Sequence, residues 1–207
     1  MAFLTIDDVP SRLFREKLDY LSSRGLPAIF FIVGNQVTGR EAGLVRALKL
    51  GYDLGNHSFT HPYFSKLGLE EAREEIEKTD ALLSSLYAEA DRPWLSKRFR
   101  FPYFDLGGPM AGPLQGIIAS MGYLGPKGSP SDRHDTDCDF DQREYWLGKP
   151  DAPDGCCARE VILARIDACH PAEGDRILIH DHENTHELFF ECVDRYLSRG
   201  LRFEKLE

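Results

Sequence analysis

Short apolar runs and amphipathic stretches alternate along almost the whole of this 207-residue chain. Phe3–Ile6 reads as a short buried strand ending at Asp7-Asp8. Ser11–Arg24 reads as a helix, with Phe14, Leu18 and Leu21 at helical spacing and Gly25 as its stop. Pro27–Val33 is apolar throughout, as a strand buried on both faces must be. A helix over residues 39–50, ended by Gly51, leads into a strand over Tyr52–Gly55. Leu69–Leu86 is the clearest helix, with Leu69, Ala72, Ile76, Thr79, Leu83 and Leu86 on one face. Arg98–Pro102, Tyr123-Leu124, Tyr145–Leu147, Arg176–Ile179 and Leu201–Leu206 read as further strands. Gly112–Met121, Ala158–His170 and Asn184–Arg199 read as helices, and residues 125–157 as a long loop region. The alternation implies an α/β fold: a parallel sheet covered by helices, open or closed into a barrel, in a single domain over residues 1–207.

In such sheets the C-terminal ends of the strands carry the chemistry. Four polar clusters obey that rule: Asp7-Asp8, His57 to His61, Arg100 with Tyr103, and His180-Asp181-His182. His57 and His61 stand four residues apart, so both rings can reach one metal ion from a helical turn or a tight loop. With one of Asp7 or Asp8 they make a two-histidine, one-carboxylate set for a first-row divalent metal, with positions left open for water and substrate. The other aspartate is then free to act as general base. His180 is the natural acid for the leaving group, and Arg100 can keep the base ionised. Together these form an apparatus for metal-assisted hydrolysis.

Each piece has a plainer reading in isolation. Adjacent aspartates are common in turns and helix N-caps. Arg100, in an Arg-Phe-Arg-Phe alternation, suits the solvent face of a strand. His180-Asp181-His182 suits a solvated loop or an additional metal site. Tyr145 and Trp146 suit the core more than a sugar platform, and the acidic residues between 132 and 141 suit a solvated loop. Placement at one rim is what favours the joint site.

The net charge of −9 argues against nucleic acid or an anionic membrane as partner, and no apolar run is long enough to span a bilayer. The five cysteines are odd in number and lack a C-x-x-C, so they make neither a zinc framework nor a disulfide scaffold. Unpaired thiols and an N-terminus without a secretory leader suggest a cytoplasmic location; a leader removed beforehand would make it a secreted one. The oligomeric state leaves no mark in the sequence.

From residue 3 to residue 206 the motifs resemble, in order, those of the NodB-homology domain of polysaccharide deacetylases, carbohydrate esterase family 4. Thr5-Ile6-Asp7-Asp8-Val9-Pro10 is similar to the family's opening Thr-Phe-Asp-Asp-Gly-Pro, and Ala28–Gly34 to its second strand. Gly55–His61 fits its His-Ser/Thr-x-x-His metal motif, Arg100–Tyr103 its Arg-x-Pro-Tyr, and Leu178-Ile179-His180 its Leu-x-His. The resemblance implies an irregular (β/α)7 barrel. It makes Asp7 the catalytic base, and Asp8, His57 and His61 the ligands of a divalent metal, usually Zn²⁺, sometimes Co²⁺ or Ni²⁺. Arg100 would tether Asp7, the Tyr103 backbone N–H would help hold an oxyanion, His180 would be the general acid, and Leu178 would line the acetyl pocket. The implied activity is removal of acetyl groups, N-acetyl foremost, from an acetylated carbohydrate. The rivals are an amidase acting on non-peptide C–N bonds of small molecules and a non-catalytic carbohydrate-binding relative. Two positions depart from the pattern. Val9 replaces a glycine, and the family's Asp-Trp motif at the substrate groove has no clean match, Asp139-Phe140 being the first candidate and Asp137 or Trp146 the alternatives.

Overall fold

A computed structural model describes residues 1–123, 140–149 and 158–206. In chain order its elements are β1 (Phe3–Val9), α1 (Phe14–Ser23), β2 (Ile29–Ile32), α2 (Glu41–Lys49), β3 (Asp53–Asn56) and α3 (Leu69–Glu89). They continue with α4 (Ala111–Ser120), β4 (Phe140–Asp141), α5 (Arg159–Ala168), β5 (Arg176–His180) and α6 (His186–Ser198). Packing divides the chain into two compact units: Met1–Ile29 with Cys138–Leu206, and Phe30–Asp137. Among the described residues no helix is long and apolar enough to cross a membrane.

In the first unit β5 lies between β1 and β4, parallel to both. The β1–β5 register runs from Phe3 opposite Arg176 to Asp7 opposite His180. Leu4, Ile6, Ile177 and Ile179 are buried, as are Phe14, Leu18 and Leu21 of α1 and Leu188, Phe189, Cys192 and Val193 of α6. Lys17 sits on the same buried stripe of α1. Its ammonium donates to Asp181 Oδ1 at 2.6 Å and to the His182 carbonyl at 3.0 Å. Asp181 also accepts from the Ser11 N–H and hydroxyl, each at 2.7 Å. The charges are paired and hydrogen-bonded, which is what makes a buried ion pair tolerable.

In the second unit β2 and β3 are neighbours, and the His57 N–H donates to the Ile32 carbonyl at 2.9 Å. Gly55 of β3 has no room for a side chain, since an added Cβ would lie 2.7 Å from the Phe31 ring. The Asn56 N–H donates to the Arg98 carbonyl at 2.8 Å, and the Arg100 N–H returns to the Asn56 carbonyl at 3.0 Å. The core gathers Phe64, Ala72, Ile76, Phe99, Phe101, Leu114, Ile117, Ile118 and Tyr123.

Four expected strands differ. Of Tyr123-Leu124, Tyr123 pairs through one bridge, with Lys97, and Leu124 lies outside the described residues. The Arg98–Pro102 segment is extended but pairs through one bridge, Asn56 to Phe99, and turns into a 3₁₀ helix at Pro102. In Leu201–Leu206 only Phe203 pairs, with Ala2. Tyr145-Trp146 lies in a 3₁₀ turn, Glu144–Trp146, and the strand falls earlier at Phe140–Asp141. Arg143, with φ of 54°, stands between them in a left-handed conformation. Aromatic side chains favour strands only where a partner edge is available.

Lys17→Met keeps the apolar stem and strips the charge, leaving Asp181 buried with less than its full set of donors. Urea unfolding should show a loss of about 3–5 kcal/mol, whereas Lys78→Met, at an exposed pair with Glu74, should leave the midpoint nearly unmoved.

Candidate active site

The first unit carries Asp7, Asp8, Leu178 and His180. Because β1 and β5 are parallel and in this register, Asp7 and His180 are direct neighbours at the strand ends, and the Asp181 N–H donates to the Asp7 carbonyl at 2.9 Å. Asp7 and Leu178 are buried. Asp8 has φ of 61°, a left-handed conformation that aspartate tolerates better than most residues. Val9 is not among the residues with positive φ. The glycine freedom of the family motif is therefore not needed at position 9, and Val9 packs as a buried strand residue.

Glu144 is fully buried. Its Oε1 accepts from the His180 backbone N–H and lies 3.1 Å from His180 Nδ1. A carboxylate only accepts, so Nδ1 carries a hydrogen and Nε2 is the nitrogen left for a substrate. Asp141, Glu144 and His180 offer donor atoms within 4.8 Å of one another. Burial disfavours the imidazolium, but Glu144, then Asp8 and Asp141, outweigh it and push the His180 pKa up to about 10. Asp141 is raised in its turn, by burial against the pull of His180. The Tyr145 ring meets the His180 ring edge-on at 4.5 Å. Asp139 and Asp137 lie outside the described residues, as does the Trp146 side chain. The acidic–aromatic pair that the structure sets against His180 is Glu144-Tyr145.

The second unit carries His57, His61, Arg100 and Tyr103. The histidines lie on a tight loop, not a helical turn: Ser58 and His61 have φ of 66° and 60°. Glu75 of α3 pins this loop, accepting from the Phe59 N–H at 2.9 Å, the Thr60 N–H at 2.7 Å and the Thr60 hydroxyl at 2.9 Å. The Asn56 side chain holds the start of the loop by accepting the Ser58 N–H at 2.8 Å. His57 Nδ1 lies 2.8 Å from the Arg100 carbonyl, which fixes the proton on Nδ1 and leaves Nε2 as a metal donor. The two imidazole centroids are 4.9 Å apart. This donor set suits a first-row divalent ion. Arg100 is 0% exposed, with its guanidinium 4.2 Å from the Phe31 centroid, so it does not occupy a solvent face. Tyr103 takes φ of 57°, and its ring packs between His61 at 4.6 Å and Tyr63 at 3.9 Å.

The family model for polysaccharide deacetylases matches residues 1–111, more than half of the chain. The chain belongs to that family. The matched stretch holds Asp7, Asp8, His57, His61, Arg100 and Tyr103. A bifunctional xylanase/deacetylase of Pseudobutyrivibrio xylanivorans is 33% identical over 108 residues, covering 52% of this polysaccharide deacetylase homologue and 17% of its own length. The chain also spans less than half of the length of other bacterial deacetylases that it matches. A solved polysaccharide deacetylase of Bacillus cereus superposes with a TM-score of 0.76 at 23% identity, over 100% of this chain and 92% of that one. A carbohydrate esterase family 4 pseudoenzyme of Bacillus anthracis does so at 0.69 and 20%, over 100% of this chain and 63% of that one. These likenesses show the parallel α/β fold expected from the strand–helix alternation. Since the fold is shared by a pseudoenzyme, activity has to be argued from side chains.

Sequence reading missed Glu144, Glu75 and the Lys17–Asp181 pair. Lys17 did leave a signal, since it interrupts the stripe Phe14–Leu18–Leu21 with a charge. Glu75 lies one turn from Ala72 and Thr79 of the buried face of α3, a weaker signal, and Glu144 left none.

In metal-free protein, Glu144→Gln should lower the His180 pKa from about 10 toward its ordinary 6.5, read by NMR titration of the ring. The folded value is the higher one. His180 therefore contributes stability that is complete below about 6.5 and lost as pH rises through about 10, and the Gln variant should flatten that decline.

Proposed function

We propose that this chain is a metal-dependent hydrolase that removes acetyl groups, most readily N-acetyl, from a carbohydrate polymer or oligosaccharide. The observation that carries the proposal is the register that sets Asp7 beside His180. A base and an acid on adjacent strand ends are what acetyl transfer to water requires, and a binding protein needs neither.

Asp8, His57 and His61 would hold the ion, with Zn²⁺ the first candidate. When bound, a divalent ion supplies Lewis-acid polarisation of the acetyl carbonyl and acidifies water at the site. Asp7 removes the proton from the attacking water, and Arg100 would tether Asp7. The Tyr103 backbone N–H, presented by a left-handed residue, donates to the oxygen that becomes negative as the tetrahedral centre forms. His180, protonated through neutral pH and oriented by Glu144, passes its proton to the departing amine or hydroxyl. Leu178 lies two residues before His180 on β5 and so shares its face of the strand, where it borders the acetyl methyl.

Acetate release should be measured on chitin oligomers, peptidoglycan fragments and acetylxylan. A chelator should abolish it, and added Zn²⁺ or Co²⁺ should restore it. Cleavage of small amides without acetate release would identify an amidase instead, and oligosaccharide binding with no hydrolysis a non-catalytic relative.

Asp7→Asn should lower turnover by about 10²- to 10⁴-fold while the ion, measured by elemental analysis, stays bound. His180→Ala should do the same. Wild-type-like turnover in either variant would remove that residue from the mechanism.

A further inference from the structure

His182 lies two residues beyond the acid, and no step above uses it. Its Nε2 is 2.7 Å from Asp8 Oδ2. A carboxylate oxygen only accepts, so Nε2 carries the hydrogen whatever the charge on the ring. The backbone beneath the ring is fixed from several sides. The His182 carbonyl accepts from Lys17, and Asp181 takes donors from Lys17 and twice from Ser11. The Asp181 N–H is tied to the Asp7 carbonyl, next to Asp8 on β1. The backbone that carries the ring is thus held against the strand pair that carries Asp8. Asp8 itself is left-handed, a conformation that a non-glycine residue keeps only where its surroundings enforce it.

We infer that His182 is a positioning residue for the metal centre. By donating to Asp8 Oδ2 it stops rotation of the carboxylate, so that Asp8 meets a divalent ion with little side-chain freedom left to lose. The inference rests on the ligand role proposed above for Asp8. Such outer hydrogen bonds orient a ligating group, and their loss weakens metal binding by about 10- to 100-fold.

The test uses the full chain, stripped of metal and titrated with Co²⁺ against a chromophoric chelator. His182→Ala should raise the Co²⁺ Kd by about 10- to 100-fold. His182→Gln, whose amide can still donate to Asp8, should recover part of the loss. Urea midpoints of the metal-free variants separate this from a general loss of stability, which alone would leave the Kd unmoved. A His182→Ala Kd within twofold of wild type overturns the inference. So does loss of Co²⁺ as complete as in His57→Ala, which would make His182 a ligand. A wild-type chain that takes up no Co²⁺ overturns the ligand role of Asp8 and this inference with it. Equal binding by wild type and His182→Ala overturns this inference alone.

Discussion

Parallel pairing of β1 with β5 is the constraint on which the strand-end residues of the first unit depend. A one-residue slip would turn every side chain of one strand to its opposite face. Either Leu4 and Ile6 on β1 or Ile177 and Ile179 on β5 would then leave the face they share. Burial therefore enforces the register, and the register delivers Asp7 and His180 side by side. The polar residues around them are supplied with partners: Glu144 for His180, His182 for Asp8, and Lys17 and Ser11 for Asp181.

The histidine loop of the second unit obeys a different logic. The loop of His57 and His61 is bonded through its backbone to Ile32, Gly34 and Asn35, and two of its residues are left-handed. Side chains hold it further by capturing its amides. Glu75 accepts three donors from Phe59 and Thr60, and Asn56 accepts one from Ser58. Both are held by elements packed on the apolar core, so the histidines inherit the rigidity of α3 and β3. The Arg100 carbonyl completes the arrangement by fixing the tautomer of His57.

Much of this was legible in the sequence, for a physical reason. Buried strands such as Ile29–Ile32 and the apolar face of α3 announce themselves because burial imposes composition and spacing at short range. The proposed site residues stood out in the sequence because few residue types could do that work and because they fall at strand ends. What was not legible depends on partners far away in the chain. Lys17 and Asp181 are 164 residues apart, and Glu144 and His180 are 36 apart. Tyr145-Trp146 has strand-like side chains, but the left-handed Arg143 turns that stretch into a 3₁₀ helix. Arg100 reads as a surface residue by alternation, yet it is buried against Phe31.

In the proposed mechanism the aspartate of one motif and the histidines of another would hold a single ion. Metal content per chain, measured after equilibration with limiting Zn²⁺, tests it most directly on Asp8→Ala, His57→Ala and His61→Ala. The wild type should hold one ion and all three variants should lose it, with acetate release lost in parallel. An Asp8→Ala chain that keeps its zinc while His57→Ala and His61→Ala lose theirs would contradict it.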